Sequence, residues 1–148
     1  MKKIIFSLAI LFTAISSQAQ IPTGTQTVGL KVGTYFGGAY KTYISSSSSI
    51  EGTVGFDWEV NNIGIIANYY LIQTDVYEEW DNLEWYGGFG GQVWLGKSSS
   101  IGPNATAGLE YYFDGTPFSL FTDFSLYLGI GENGGFIPQF GVGARKTF

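Results

Sequence analysis

The sequence predicts an all-β fold: an eight-stranded antiparallel up-and-down transmembrane β-barrel, preceded by a cleaved signal peptide. The first observation is the alternation of the last eleven residues, 138–148. Successive side chains of a strand point to opposite faces, so one face of this segment is apolar while the other carries Arg145. Hydrocarbon outside and a polar lumen inside produce this pattern. The residues of the apolar face are Pro138, Phe140, Val142, Ala144, Lys146 and Phe148.

The second observation is the composition. Aromatic residues make up 18% of the 148 residues and charged residues only 13%, whereas a water-soluble domain usually carries about 25% charged residues. After residue 19, no apolar run reaches the roughly 20 residues that a membrane-spanning helix needs. This combination is typical of a barrel in the bacterial outer membrane, where we expect the protein to reside.

The third observation is the amino terminus, which predicts a signal peptide. Lys2 and Lys3 form a basic start, residues 4–15 are almost continuously apolar, and Ala19 completes a pair of small residues at the cleavage positions. We therefore expect cleavage after Ala19 and export from the cytoplasm. The predicted organisation is a signal peptide, a short polar leader and one barrel domain, over 1–19, 20–27 and 28–148.

Turn signals divide the barrel domain into eight predicted strands. They include Gly37-Gly38, the serine run 45–49, Asn61-Asn62 and the sequence 114–117. Most of the strands reach the roughly 9–11 residues that cross a bilayer at a tilt. An even number places both termini on one side, the periplasm, and closure leaves no unpaired edge. The predicted strands cover 28–36, 39–45, 50–58, 63–73, 84–95, 104–113, 118–128 and 138–148; the facing of the second stays open.

Aromatic residues stand at the predicted strand ends on the apolar face, which predicts two girdles at the membrane interfaces. Phe36 and Trp58 belong to the outer girdle. The long side chain of Lys146 is expected to reach the periplasmic interface. The periplasmic girdle is predicted to contain Trp85, Tyr111, Phe113, Phe118 and Phe148.

The inner face is predicted to carry an ion-pair network. Glu110, Asp123 and Arg145 lie on consecutive strands, and closure brings Lys31 beside the last of them, so these four should cluster in the periplasmic half. Charges at low dielectric need partners, and an arginine can bind a carboxylate with two nitrogens. We interpret the network as a structural plug; a proton or ion relay is the alternative. Further inward charges are expected at Glu51, Asp57 and Glu84.

Several classes of function are disfavoured. The chain has no histidine and no cysteine, so the commonest general base, the commonest metal ligand and any thiolate metal site are missing, and we expect no enzyme activity and no cofactor. Loss of Lys2 and Lys3 leaves five basic residues against twelve acidic ones, a net charge of −7. Nucleic acid is therefore not an expected partner.

Four segments of the chain carry a family resemblance. They are 29–33 (GLKVG), 85–90 (WYGGFG), 108–113 (GLEYYF, with Pro117 and Asp123 after it) and 141–148 (GVGARKTF). Together they resemble the small outer-membrane β-barrel proteins of Bacteroidetes-type bacteria, which are similar to outer membrane proteins A and X. The resemblance covers nearly all of the mature chain and implies the same eight-stranded barrel. It departs from the family at Lys146, where an aromatic residue is expected.

Three hypotheses for function follow. The first is a structural or interaction role, with outer-membrane lipid and the barrel-assembly machinery as partners, the latter bound through the C-terminal strand. The second is a secreted soluble, lipocalin-like barrel that binds a small apolar ligand, which would require a polar exterior and an apolar lumen. The third is a narrow channel or transporter, which requires a continuous polar path past the inward tyrosines.

Overall fold

The computed structural model describes residues 22–74, 82–132 and 134–148. The predicted signal peptide and most of the acidic segment after the fourth strand lie outside the described residues. Within the described ranges, no helix is long and apolar enough to cross a membrane. The strands in these ranges are β1 (Gln26–Gly33), β2 (Phe36–Ser45), β3 (Ser48–Asp57), β4 (Asn62–Thr74), β5 (Leu83–Gly96), β6 (Ser100–Tyr112), β7 (Phe118–Gly131) and β8 (Gly135–Thr147).

The strands form a closed barrel in which each pairs antiparallel with the next along the chain. β8 closes the barrel by pairing with β1, where Gly29 stands opposite Arg145 and Val32 opposite Val142. Every described strand therefore has a hydrogen-bonded neighbour on both sides, which removes the exposed edge of an open sheet. The predicted eight-stranded antiparallel up-and-down barrel is confirmed.

Strands β2, β6 and β8 each begin three or four residues before their predicted starts. Gly37-Gly38 lies inside β2 rather than in a turn, because the chain turns earlier, where the Thr34 amide donates to the carbonyl of Phe140 (2.9 Å). A Cβ atom at Gly37 would lie 2.8 Å from the carbonyl oxygen of Val54, so this glycine permits close strand packing. β6 begins at Ser100 instead of residue 104, and β8 begins at Gly135 instead of residue 138.

The barrel has two ends, which we name by the chain termini. At the terminal end lie both ends of the described chain, the connections 46–47 and 113–117, the end of β4 and the start of β5. At the distal end lie the connections 34–35, 58–61 and 97–99, the end of β7 and the start of β8. Asn61, with a φ of 53°, is the described non-glycine residue with positive φ, and it belongs to one of these distal turns. Asparagine tolerates the left-handed conformation better than most residues.

The two faces of the wall are inverted relative to a water-soluble protein. Outward side chains are apolar and exposed, as at Leu30 (60% exposed) and Phe140 (53%), while Arg145 on the inside is 2% exposed. The facing of β2, which the sequence left open, places Ala39, Lys41 and Tyr43 inside. A polar interior under an apolar exterior is the opposite of what a soluble, lipocalin-like barrel requires.

The predicted girdle residues lie near the two rims of the outer surface. Trp58 directly follows β3 at the distal end and is half exposed. At the terminal end the rings of Tyr111 and Phe113 meet edge to face, with 5.3 Å between their centroids. The remaining terminal-end aromatics are Trp85 near the start of β5, Phe118 at the start of β7 and Phe148 after β8.

Candidate functional site: the charged cluster in the lumen

Arg145 is the centre of the charged interior. Because it lies on β8 at an inward position, its long side chain extends into the lumen and is buried there. Its Nη1 donates to Glu110 Oε2 (2.6 Å) and its Nη2 to Glu51 Oε2 (2.5 Å). The guanidinium carbon also lies 3.7 Å from the centroid of the Phe121 ring. One side chain thereby joins β8 to β6 and, across the enclosed space, to β3.

Lys41 is the second cation of this centre. Its Nζ donates to Glu110 Oε2 at 3.0 Å and lies 3.7 Å from Glu84 Oε1. The same ammonium lies 4.7 Å from the ring centroid of Tyr43 and 5.1 Å from that of Tyr86, distances at which aromatic rings attract cations. We call Lys41, Glu51, Glu84, Glu110 and Arg145 the terminal cluster, since they occupy the terminal half of the lumen.

Lys31 and Asp123 form a separate pair closer to the middle of the barrel. Lys31 Nζ donates to Asp123 Oδ1 at 2.6 Å, and both side chains are buried. The ammonium lies 5.0 Å from the Tyr35 ring centroid, and the lysine stem covers Gly141, where a Cβ atom would collide with it. The glycine therefore provides the space in which the pair forms.

All four residues of the predicted network lie in the lumen, in two groups. Arg145 binds Glu110 in the terminal cluster, while Lys31 binds Asp123. Glu51 and Glu84 also point inward, as expected. Asp57 is the last residue of β3, at the half-buried position that continues the inward alternation, and its Oδ1 accepts the amide of Glu59 (3.0 Å) in the following turn. A carboxylate at a strand end satisfies local backbone donors, a use that simple alternation does not reveal.

Lys41 is the functional residue that the sequence did not identify. It could not be identified because both faces of β2 mix small, aromatic and polar residues, so the sequence does not show which face of this strand points into the lumen. The available signal was the register across the serine turn, because Lys41 pairs directly with Glu51 on β3. Opposite charges at directly facing positions favour the same face of a sheet.

The charges of the described lumen do not balance. Three cations, on Lys31, Lys41 and Arg145, accompany four carboxylates. Glu110 is the most fully paired carboxylate, because Ser119 Oγ adds a third donor at 2.6 Å. Glu84 is the least paired: the Tyr43 hydroxyl lies 3.4 Å from its Oε1, and its Oε2 has no hydrogen-bond partner among the described residues.

The described residues fill the distal half of the lumen without charged pairs. Gln92 Nε2 donates to Gln139 Oε1 at 2.9 Å, and the Trp94 indole donates to Gln92 Oε1 at 2.9 Å. The rings of Tyr35 and Trp94 meet edge to face at 5.3 Å, and Tyr127 packs against the same cluster. This part of the interior therefore combines neutral hydrogen bonds with aromatic packing.

A middle layer separates the two halves. Asn104 Nδ2 donates to Asn68 Oδ1 at 2.8 Å, and Asn68 Nδ2 donates to the Tyr70 hydroxyl at 2.8 Å. Thr106 and Ser125 share a hydrogen bond of 2.7 Å. The described interior is therefore a polar core in which most of the ionised groups are held by partners from several strands, while a few buried polar atoms, Glu84 Oε2 among them, have no partner among the described residues.

Comparisons with known proteins bear on the fold. No protein-family model and no curated protein matches the chain. A designed transmembrane β-barrel is 15% identical, with a TM-score of 0.67, over 86% of this chain and 98% of the designed one. The N-terminal β-barrel domain of OprF from Pseudomonas aeruginosa is also 15% identical, with a TM-score of 0.67, over 85% of this chain and 98% of that domain. At this identity the likeness concerns the fold alone.

Proposed function

We propose that the protein is an integral barrel of the bacterial outer membrane whose lumen is closed by its own side chains and whose role is structural or interactive rather than catalytic. The observation that carries this proposal is the bonding of Arg145 to Glu51 and Glu110 inside a wall whose outer face is apolar. In water, such a chain would expose its hydrophobic side chains and bury its ions. In a bilayer, both faces meet a suitable environment.

Closure of the lumen is supported by bridges at two levels. Arg145 crosses the terminal half from β8 to β3, and the Gln92–Gln139 hydrogen bond joins β5 to β8 in the distal half. An eight-stranded barrel has an interior that side chains can fill. Steady ion flow would have to displace both bridges, so we propose a plugged barrel instead of a channel.

Export and assembly complete the proposal. The predicted signal peptide would direct the chain out of the cytoplasm, and the resemblance to Bacteroidetes-type barrels suggests the kind of cell in which this occurs. β1 has eight residues and β8 thirteen, so the closing seam is limited by its shorter strand. We propose that this seam forms last. The assembly machinery would then recognise β8 before β1 pairs with it.

Membrane location is tested by extraction and gel migration. We expect the mature protein to remain in the membrane fraction, to require detergent for release, and to migrate differently on a gel before and after boiling. A protein that is freely soluble and migrates identically in both states would overturn the proposal.

Closure is tested by single-channel recording in a planar bilayer. The expected trace shows no steady stepwise current. The double variant Arg145→Ser with Glu51→Ser serves as a matched control, because it removes the bridge between β8 and β3 and should raise the leak. Stepwise current through the unaltered protein would contradict the plug while leaving the membrane location intact.

A further inference from the structure

Lys146 occupies an unusual position on the outer face. It is the basic residue that the described strands direct outward, since Lys31, Lys41 and Arg145 are buried in the lumen and Lys97 lies in a connection. Its ammonium lies 5.0 Å from the centroid of the Phe148 ring, at the terminal rim. No described carboxylate forms an ion pair with it. The exposed ammonium is therefore available to a negatively charged group from outside the barrel.

A shallow furrow on the outer face begins at Ala144, two residues before this lysine on the same face of β8. Two depressions of about 740 and 480 Å³ adjoin on the outer face and share Leu109 and Thr122 in their linings. Ala144, two residues before Lys146 on the same face of β8, lines the first depression, and Ala107 lines the second. We call this feature the outer furrow; its small residues are Ala144, Thr122 and Ala107, and its walls include Leu30, Leu120, Tyr111, Phe124 and Phe140.

The register gives the furrow a direction. Lys146 faces Phe118, Ala144 faces Leu120, and Phe140 faces Phe124 on β7, so the furrow runs from the terminal rim toward the middle of the wall. Six residues of strand cover about 20 Å, which a tilt of roughly 40° reduces to about 15 Å along the membrane normal. That depth is half of a hydrocarbon core of about 30 Å, the thickness of one leaflet.

We propose that the outer furrow and Lys146 bind one phospholipid with a net negative headgroup from the leaflet at the terminal end. The inference rests on the proposed membrane location. The headgroup phosphate supplies the counter-charge for the ammonium, and one acyl chain lies over Ala144, Thr122 and Ala107, where small side chains leave space between larger ones. Two features favour a lipid over a second copy of the barrel as the occupant. The ammonium of Lys146 complements a negatively charged headgroup, and the length of the furrow matches the thickness of one leaflet.

Native mass spectrometry of the folded protein tests the site. Phosphatidylglycerol and phosphatidylcholine with identical acyl chains are added separately, after gel migration has shown that the barrel is folded. We expect a first lipid adduct at several-fold lower concentration with phosphatidylglycerol. Lys146→Gln should abolish that preference, while Lys146→Arg should keep it. Ala144→Leu and Ala107→Leu should weaken adducts of both lipids, because a leucine fills the furrow.

Two matched variants separate this site from general effects. Ala105→Leu adds the same bulk to an outward alanine of β6 that does not line the furrow, and adduct formation should be unchanged. Ile44→Lys, combined with Lys146→Gln, restores a rim cation on β2 away from the furrow and should not restore the preference.

Four outcomes would overturn the lipid site. Equal adducts with both lipids, restoration by Ile44→Lys, or dimers that Ala144→Leu removes would each reject it while leaving the barrel in the membrane. Failure of the protein to show a folded, heat-modifiable form would reject the membrane location and, with it, the lipid site.

Discussion

The two halves of the lumen solve the same packing problem with different chemistry. In the terminal half, Arg145 and Lys41 are held by carboxylates from β3, β5 and β6. In the distal half, Gln92, Gln139 and Trp94 are held by neutral hydrogen bonds. The wall around both is the same antiparallel ladder. The backbone of the wall therefore sets the size of the lumen. The side chains inside determine how much stability is lost when one of them is replaced.

The difference lies in how each half responds to loss of one partner. A buried ion that loses its counter-ion retains its full desolvation cost, which is several kcal/mol. A neutral amide that loses its partner leaves an unpaired group that costs about 1–3 kcal/mol. The terminal half should thus react strongly to single substitutions and the distal half mildly. The following changes test that ranking.

Arg145→Met is expected to have the largest effect. It preserves much of the apolar stem but removes the guanidinium that binds both Glu51 and Glu110. The free energy of unfolding should fall by about 3–5 kcal/mol, measured by urea titration of the barrel in vesicles or detergent. Arg145→Lys, which keeps one charge but not the two-pronged contact, should lose less. A loss below about 1 kcal/mol for Arg145→Met would show that the cluster is not the stabilising feature of its half.

Glu110 and Glu84 form a matched pair for the next effect. They face each other across β5 and β6, and both are buried, yet Glu110 accepts from Lys41, Arg145 and Ser119 whereas Glu84 has one long hydrogen bond. Glu110→Gln should cost about 3 kcal/mol and Glu84→Gln less than about 1 kcal/mol in the same titration. Equal losses would mean that burial, and not pairing, sets the cost.

Much of the barrel follows from alternation, because the two faces of a strand in this fold meet such different surroundings. β7 and β8 alternate cleanly, so the inward positions of Asp123 and Arg145 could be predicted. β2 does not, because glycines and aromatic residues occur on both of its faces; for this reason Lys41 was missed. Alternation indicates which face a residue occupies but carries no information on its height in the lumen.

The partners within the lumen could not be predicted for that reason. Whether Lys31 binds Asp123 or Glu110 depends on the stagger between strands that accumulates around the barrel. That stagger depends on where each hairpin turns, and the turn after β1 lies at residues 34–35 instead of the predicted Gly37-Gly38. A shift of a few residues in one hairpin changes which charges meet across the lumen.

A third test, in the distal half, concerns the close packing of the Trp94 ring against a glycine of the barrel wall. A Cβ atom at Gly64 would lie 2.7 Å from the ring of Trp94, while one at Gly52, on the outer face, would meet nothing within 4 Å. Gly64→Ala should lower the free energy of unfolding by about 1–3 kcal/mol, because the indole must move. Gly52→Ala should leave it unchanged or raise it by roughly 0.5–1 kcal/mol. Trp94 fluorescence should shift only in the first variant.

The neutral bridge between Gln92 and Gln139 gives the last test, with expected losses smaller than those at Arg145 and Glu110. Gln92→Leu and Gln139→Leu each remove one side of the 2.9 Å hydrogen bond, and each should cost about 1–2 kcal/mol because an amide is left unpaired. The double variant should recover only the part of the loss that comes from the amide left unpaired on the other residue, because the Trp94 indole N–H loses its Gln92 acceptor in Gln92→Leu and in the double variant alike. A double-mutant cycle measures the recovery as a coupling energy.

The corresponding cycle with Lys31→Met and Asp123→Leu should give a larger coupling energy, because each single variant there leaves an ion without its partner. Similar coupling energies in the two cycles would contradict the expectation that a buried ion pair is more sensitive than a neutral hydrogen bond to the loss of one partner.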